Sequence, residues 1–134
     1  MEEIQIKLKP WGKEIWFANT ESYAGKILEI MKGHRYSLQY HEKKTETQYV
    51  FTGKVRLTYG KDRESLLEKI LEPGEKFHIP PNTLHRVEAL EDSKIFEVST
   101  SELDDVVKLH DDYGREGKGR DDDLDFSLHN QTTK

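Results

Sequence analysis

The sequence predicts a single all-β domain, an antiparallel sandwich or barrel. Six short runs rich in β-branched and aromatic residues support this, at residues 26–31, 36–41, 47–51, 55–59, 76–79 and 95–99. Gly, Pro and Asn bound these runs, as the turns of an antiparallel fold require. A chain of 134 residues is long enough to bury one core and too short for two domains of ordinary size.

The elements outside these runs are less regular. Residues 51–55 predict a tight hairpin, with Gly53 supplying a positive φ. Residues 65–68 fit either a helix start or a strand, and the hairpin context favours the strand. Residues 101–107 begin with a helix-capping pattern and predict a short C-terminal helix. We expect a single domain over residues 1–115 and a flexible, disordered acidic tail over 116–134, because the tail is charged and has little apolar surface to bury.

Composition excludes several classes of function. The chain has no cysteine, so disulfides and thiolate metal sites are impossible. Its net charge is -5 and no stripe of Lys and Arg is present, which argues against a nucleic-acid partner. The N-terminus lacks a secretion signal and no apolar run approaches membrane-spanning length. We therefore expect a cytoplasmic protein with no membrane partner.

Four side chains form a candidate metal site. Gln39 and His41 lie two residues apart on one strand, so they leave the same face. Glu46 opens the next strand, and His85 follows a rigid turn that contains two prolines. Two imidazoles, a carboxylate and an amide oxygen form an open site for one divalent metal. Zinc is favoured, and iron, manganese or nickel are also compatible with these ligands.

The spacing of these residues matches two known motifs. The first motif of the cupin superfamily is matched in spacing by Gly33, Gln39, His41, Glu46 and Gly53, with Gln39 where its first histidine usually stands. The second is matched by Gly74, Pro80, Asn82 and His85, with Asn82 in place of its glycine. The chain therefore resembles the cupins, which implies a double-stranded β-helix, or jelly-roll barrel. A degenerate cupin that keeps the barrel without a metal is the alternative interpretation.

Within the cupins, the chain is similar to the type II mannose-6-phosphate isomerases. The similarity lies in residues 9–14, 37–41, 79–86 and 104–115, in unbroken order. This resemblance implies metal-dependent interconversion of mannose 6-phosphate and fructose 6-phosphate, in the supply of activated sugar for polysaccharides. The guanylyltransferase part that usually accompanies this cupin is absent, so nucleotide transfer is not expected of this chain.

The reaction requires a group that moves a proton and cations that hold the phosphate. Glu97 is a candidate acid or base, and Lys26 and Arg86 are candidates for contacts with the sugar phosphate. Lys44 is a further catalytic candidate, because it stands where the family has an arginine that is important for isomerisation. Lysine keeps the charge of arginine but not its planar fork, and Lys43 similarly replaces a family histidine.

The same site fits two other hypotheses. One is a non-catalytic cupin that binds a metal or a sugar as a sensor or partner protein. The other is different metal chemistry, such as that of an oxygenase or epimerase. The resemblance also implies a homodimer, for which apolar residues near Trp11, Trp16 and Phe17 are candidate contacts. The other four histidines, His34, His78, His110 and His129, are interpreted as structural or solvated.

Overall fold

A computed structural model describes residues 3–133 of the chain. Within them lie twelve β-strands and one α-helix. The strands are β1 (Gln5–Lys9), β2 (Gly12–Asn19), β3 (Ala24–Ile30), β4 (Leu38–Tyr40), β5 (Glu46–Thr52), β6 (Val55–Gly60), β7 (Leu67–Leu71), β8 (Lys76–Ile79), β9 (Leu84–Ala89), β10 (Ser93–Ser99), β11 (Val107–His110) and β12 (Gly117–Lys118). The helix, α1, covers Asp122–Thr132. The all-β prediction is confirmed.

The strands form two antiparallel six-stranded sheets that enclose the interior. Sheet 1 has the order β1-β2-β3-β10-β5-β8, and sheet 2 has the order β12-β11-β4-β9-β6-β7. Strands that follow one another in the sequence often lie in different sheets. This exchange between sheets is typical of a jelly roll, as the sequence predicts. No helix within residues 3–133 is long and apolar enough to span a membrane.

The interior has an apolar end and a polar end. Along β10, the buried side chains are Ser93, Ile95 and Glu97, and Ile95 lies opposite Leu28 of β3. Glu97 lies opposite Lys26 on one side and Gln48 on the other, and all three are buried. The core cluster consists of Trp11, Leu28, Ile30, Tyr36, Val50, Val55, Leu57, Leu71, Phe77, Ile79, Val87, Ala89 and Ile95. Because alternate residues of β10 face the interior, this strand contributes Ile95 to the apolar end and Glu97 to the polar end.

The turn at Gly53 is confirmed, but the predicted hairpin is wrong. Gly53 has a φ of 94°, and a Cβ atom there would lie 2.2 Å from the Ser93 Oγ. The strands on either side, β5 and β6, belong to different sheets and do not pair with each other. A glycine with positive φ therefore marks the crossing from one sheet to the other. The strand favoured at residues 65–68 is confirmed for its second half, since β7 begins at Leu67.

The C-terminal region differs from the prediction in two ways. Residues 101–106 form turns that lead into β11, not a helix. The helix lies further on, within the stretch expected to be a disordered tail. Asp121 caps it by accepting a hydrogen bond from the Leu124 N–H (3.1 Å). Acidic residues in the first turn, which the composition marked as tail-like, favour a helix N-terminus instead.

A buried ion network holds α1 against the barrel. Asp125 is 2% exposed and accepts a hydrogen bond from Lys9 Nζ of β1 (2.8 Å). Its other oxygen accepts from Arg115 Nη1 (3.1 Å), and Arg115 also forms a two-pronged pair with Asp111. These ion pairs allow a charged segment to pack against the barrel in an ordered helix. The composition of the segment does not reveal them, because the partner Lys9 lies at the other end of the chain.

Trp11 and Trp16 do not lie at an exposed contact surface. Both are buried, whereas Phe17 is exposed. Trp16 faces inward, where its indole Nε1 donates a hydrogen bond to Glu14 Oε1 (2.8 Å). Phe17, the next residue on the strand, faces outward, as strand alternation requires. Of the three aromatic residues considered for a subunit contact, only Phe17 remains available.

Candidate metal centre and its cavity

Three of the four predicted metal ligands meet at one buried point. His41 follows β4, Glu46 opens β5 and His85 lies near the start of β9. The Nε2 atoms of His41 and His85 lie 3.1 Å and 2.9 Å from the same oxygen, Glu46 Oε1. The three ligand atoms lie within 4.8 Å of one another, and all three side chains are buried. Side chains from three strands thus converge as a single ion would require.

The hydrogen bonds of the two imidazoles leave their Nε2 atoms free to bind a metal. His41 Nδ1 contacts the Asp105 carbonyl oxygen (2.5 Å), and His85 Nδ1 contacts the Thr83 carbonyl oxygen (3.0 Å). A carbonyl oxygen only accepts, so each Nδ1 carries the proton and each Nε2 presents its lone pair. His85 Nε2 is buried without a hydrogen-bond partner among the described residues. Two lone pairs and a carboxylate oxygen that face one another fit a divalent cation.

Gln39 lies beside this cluster. It is directly opposite His85 in the ladder between β4 and β9, and its side chain lines the same cavity. Its Oε1 atom accepts a hydrogen bond from the Ser37 hydroxyl (2.7 Å). The predicted role of Gln39 as a fourth ligand stays a prediction.

Asp105 organises the loop that carries His41. Its carboxylate accepts hydrogen bonds from the backbone N–H groups of Glu42 (3.0 Å), Lys43 (2.7 Å) and Lys44 (2.9 Å). Although burial opposes the charge, these three donors lower the pKa of the Asp105 carboxyl. Because its carbonyl also holds the His41 ring, Asp105 fixes both the loop and the ligand. Sequence reasoning missed this residue, because it lies more than sixty positions from its partners.

A second buried carboxylate, Glu97, faces the cavity close to the cluster. Its Oε2 accepts a hydrogen bond from Lys44 Nζ (3.1 Å), and Lys26 Nζ lies 4.0 Å away. Its Oε1 accepts from Gln48 Nε2 (3.2 Å). Lys44 Nζ is also 3.5 Å from Glu46 Oε2, so this lysine bridges Glu97 and the cluster. The structure thus brings Glu97, Lys44 and Lys26, all singled out in the sequence, to one cavity.

The two carboxylates have different proton affinities. Burial and the nearby charge of Glu46 raise the pKa of Glu97 to about 8, against the opposing effect of Lys44 and Lys26. Burial also opposes the charge of Glu46, yet the adjacent Lys44 ammonium holds the pKa of Glu46 well below its usual range. For Lys44, burial opposes the charge, but Glu97 and Glu46 raise the pKa. A neighbouring pair of carboxyl groups with separated pKa values suits one group to stay ionised and the other to exchange a proton.

Arg86 is not brought to this cavity. It follows His85 directly, so strand alternation places it on the opposite face of sheet 2. Its Nε donates to the Tyr36 carbonyl oxygen (3.1 Å), and its Nη2 donates to the His110 carbonyl oxygen (3.2 Å). It therefore ties strands together. In the sequence, the adjacency of Arg86 to the predicted ligand His85 already indicates that the two side chains lie on opposite faces of the strand.

Several residues of the cavity wall were not anticipated. Glu14 Oε1 lies 3.2 Å from Lys26 Nζ. Burial acts to raise the pKa of the Glu14 carboxyl, but the charges of Lys26 and Lys9 outweigh it and lower the pKa. Six basic side chains line the cavity among the residues that the structure describes: Lys9, Lys26, Lys44, Lys108, Arg115 and Arg120. Two acidic ones, Glu14 and Glu97, line it with them. The cavity is thus rich in cations although the whole chain carries a net charge of -5.

Two antiparallel sheets that enclose a buried His-Glu-His cluster are typical of a cupin with a candidate metal centre. The family model described as mannose-6-phosphate isomerase C-terminal matches residues 2–111. The chain belongs to this family. The match ends before α1, so the C-terminal segment lies beyond it. Comparison with curated proteins gives no match.

Solved structures with a similar fold share little sequence with this chain. KdgF from Halomonas sp. has 22% identity and a TM-score of 0.65, over 77% of this chain and 91% of KdgF. CapF, solved with the inhibitor 3-isopropenyl-tropolone, has 18% identity and a TM-score of 0.67, over 82% of this chain and 35% of CapF. Bacillus subtilis oxalate decarboxylase has 18% identity and a TM-score of 0.69, over 80% of this chain and 30% of the enzyme. This chain spans about a third of the latter two, and at such identities the likeness concerns the fold.

Proposed function

We propose that this protein is a metal-dependent sugar-phosphate isomerase that interconverts mannose 6-phosphate and fructose 6-phosphate. The observation that carries the proposal is the cluster of His41, Glu46 and His85, which reaches the cavity through His41, next to the buried carboxylate Glu97 of the same cavity. The family match supports the substrate class. The excess of cations in the cavity suits an anionic sugar.

His41, Glu46 and His85 would hold the ion, with Gln39 as the proposed fourth ligand. A divalent cation there supplies a positive charge that polarises the carbonyl and hydroxyl oxygens of the sugar. We propose zinc, because two imidazoles and a carboxylate form one of its common open sites. Iron, manganese and nickel accept the same ligands, and elemental analysis of the purified protein distinguishes them from zinc.

Glu97 is the proposed group that moves the proton. In the direction from aldose to ketose, it takes the hydrogen from C2 as a proton, and a C1–H bond later forms with that proton. The hydroxyl proton of O2 passes to O1, so the product is an isomer and no other reactant is needed. The intervening enediol-like state carries negative charge on oxygen, which the nearby cations stabilise. Lys44 holds Glu97 in place and acts through it, and Lys26 lies near enough to contact a sugar hydroxyl.

A non-catalytic, sugar-binding cupin is the second candidate. It is favoured by the lysine at position 44, where the resembling isomerases have arginine. The Lys44 ammonium lies between Glu97 and Glu46 and has no planar fork to hold both in fixed geometry. A protein that keeps the cavity without that geometry would bind the sugar phosphate and not convert it.

A coupled assay separates the two candidates. Purified protein is stripped of metal, reloaded with one ion at a time and supplied with mannose 6-phosphate, while fructose 6-phosphate is detected. An isomerase turns over only when loaded, and His41→Ala and Glu46→Gln lose both bound metal and turnover. His78→Ala is the matched control, because His78 is exposed and contacts Thr47 away from the cluster.

Metal content is measured beside activity for every variant. Protein that holds one ion per chain and binds mannose 6-phosphate without converting it would exclude the isomerase and favour the binding protein. Glu97→Gln separates the roles further, since it should abolish turnover while the metal content stays at the level of the unsubstituted protein.

A further inference from the structure

The cations of the cavity wall fall into two groups: four that form ion pairs with carboxylates inside the protein, and two that keep a hydrogen-bond donor without a partner among the described residues. Lys9 and Arg115 are paired with the buried carboxylates of Asp125 and Asp111. At the other side of the cavity, Lys26 and Lys44 are paired with the three glutamates described above. Neither set therefore presents an uncompensated charge to a ligand. The remaining two cations are Lys108 and Arg120.

Lys108 lines the cavity without an acidic partner. Its Nζ donates to the Gly119 carbonyl oxygen (2.7 Å) and forms no ion pair with any carboxylate within residues 3–133. An ammonium group has three N–H donors, so two remain for a ligand. The bond to Gly119 also brings Lys108 next to the residue that carries the other free donor.

Arg120 stacks over the Trp16 ring, with its guanidinium carbon 4.5 Å from the ring centre. Its Nε and Nη2 atoms pair with Asp122 (3.0 Å) and Asp104 (3.2 Å), whose carboxylates are largely exposed. Its Nη1 atom is buried and has no hydrogen-bond partner among the described residues. A buried, unsatisfied donor on a cation costs free energy unless a ligand accepts its hydrogen bonds.

Strand register relates these donors to the candidate metal centre. His85 of β9 lies opposite Gln39 of β4, and Gln39 lies opposite Lys108 of β11. Neighbouring strands are about 4.8 Å apart, so Lys108 stands about 10 Å from His85 along this row. A hexose with its carbonyl end at the metal and a phosphate on its far carbon has a comparable length.

We infer that Lys108 and Arg120 form the subsite for the phosphate of the ligand, with α1 and its preceding turn as the wall that carries Arg120. This inference rests on the proposed function for the identity of the sugar. Arg86, the arginine predicted for this role, lies on the opposite face of sheet 2. The subsite instead draws one donor from a segment beyond the family match, which the ion network of Asp125 holds in place.

The test measures binding to metal-loaded protein by calorimetry, with mannose 6-phosphate, inorganic phosphate and mannose as separate probes. Lys108→Gln and Arg120→Gln should each raise the Kd for mannose 6-phosphate about tenfold or more, because each removes charged hydrogen bonds. The Kd for mannose and the metal content should not change. Inorganic phosphate should compete with mannose 6-phosphate in the unsubstituted protein.

Two exposed residues serve as matched controls. Lys118→Gln removes a charge from β12, beside β11, and Arg63→Gln removes one from the surface. Both should keep the Kd of the unsubstituted protein within about twofold. Arg120→Lys keeps the charge and loses the fork, so its Kd should lie between those of Arg120→Gln and the unsubstituted protein, which a merely unfolded variant would not give.

The outcomes for the subsite and for the isomerase are distinct. Tight binding of mannose 6-phosphate without turnover, weakened by both substitutions, supports the subsite and rejects the isomerase. Turnover of mannose 6-phosphate with an unchanged Kd in both variants supports the isomerase and overturns the subsite. Failure of metal-loaded, folded protein to bind either mannose 6-phosphate or phosphate overturns the subsite as well.

Discussion

Replacing Asp125 by Asn tests whether the buried ion network orders the C-terminal segment. Asp125 contacts Lys9 at 2.8 Å and Arg115 at 3.1 Å, and the side chains of all three residues are less than 8% exposed. Asn keeps the size and removes the charge, so two cations lose their shared counter-ion in a buried setting. Breaking a buried ion pair from one side typically costs 3–5 kcal/mol, so we expect the free energy of unfolding to fall by about 3 kcal/mol.

The assay is urea denaturation followed by fluorescence, with hydrogen exchange of the α1 amides measured in parallel. Asp123→Asn is the matched control, because Asp123 lies in the same first turn of α1, is exposed and forms no ion pair within the described residues. Loss of its charge removes only a helix-dipole interaction, worth less than about 1 kcal/mol. Faster exchange confined to α1 would indicate that the helix detaches before the barrel unfolds.

Equal urea midpoints for Asp125→Asn and Asp123→Asn, with equal protection of the α1 amides, would contradict this expectation. The network would then contribute no stability, and the order of the C-terminal segment would need another cause. The ion network would then also not be what holds Arg120 at the cavity.

Three further predictions concern pH, association and turnover. Arg115 lowers the pKa of the Asp111 carboxyl against the effect of burial, so the Asp111 carboxylate stabilises the fold above the usual aspartate pKa, and this stability is lost as the pH falls through the lowered pKa. Asp111→Asn should therefore be less stable than the unsubstituted protein at pH 7 and should lose less stability on acidification, as urea midpoints from pH 7 to pH 2 would show. The outer face of sheet 1 carries Val98, which is 57% exposed, and we expect this face to form the homodimer contact. Val98→Lys should yield monomers in light scattering, whereas Leu67→Lys, at a position 59% exposed on sheet 2, should not. A monomeric unsubstituted protein would contradict this expectation. Lys44→Arg should raise kcat for mannose 6-phosphate several-fold, since a guanidinium can hold Glu97 and Glu46 together, and a lower kcat at equal metal content would count against the role proposed for this position.

The sequence determined the fold class and the centre of the site. Short β-branched runs bounded by turn residues depend on local backbone preferences, which act without knowledge of the partner strand. The spacing of His41, Glu46 and His85 matches the positions of β4, β5 and β9, which this fold brings together. For this reason three of the four predicted ligands are the side chains that meet in the structure, and Gln39 lies beside them.

The sequence failed where the answer depended on which strands pair. The turn at Gly53 has the composition of a hairpin, yet the sheet order separates its two strands. Arg86 is a different case, because its face follows from strand alternation beside His85 and does not depend on which strands pair. The helix predicted at residues 101–107 is instead a set of turns, in which Asp105 caps the loop after His41.

Only the tertiary structure decided how the charges of this polar chain are paired. Asp125 looks like one acidic residue of a solvated tail until Lys9, 116 positions away, is placed beside it. The same holds for the contact between Lys44 and Glu97 and for the free donors of Lys108 and Arg120. Backbone propensity and strand alternation are local and can be read along the chain. Electrostatic energy depends on distance and burial in space, which the order of residues does not specify.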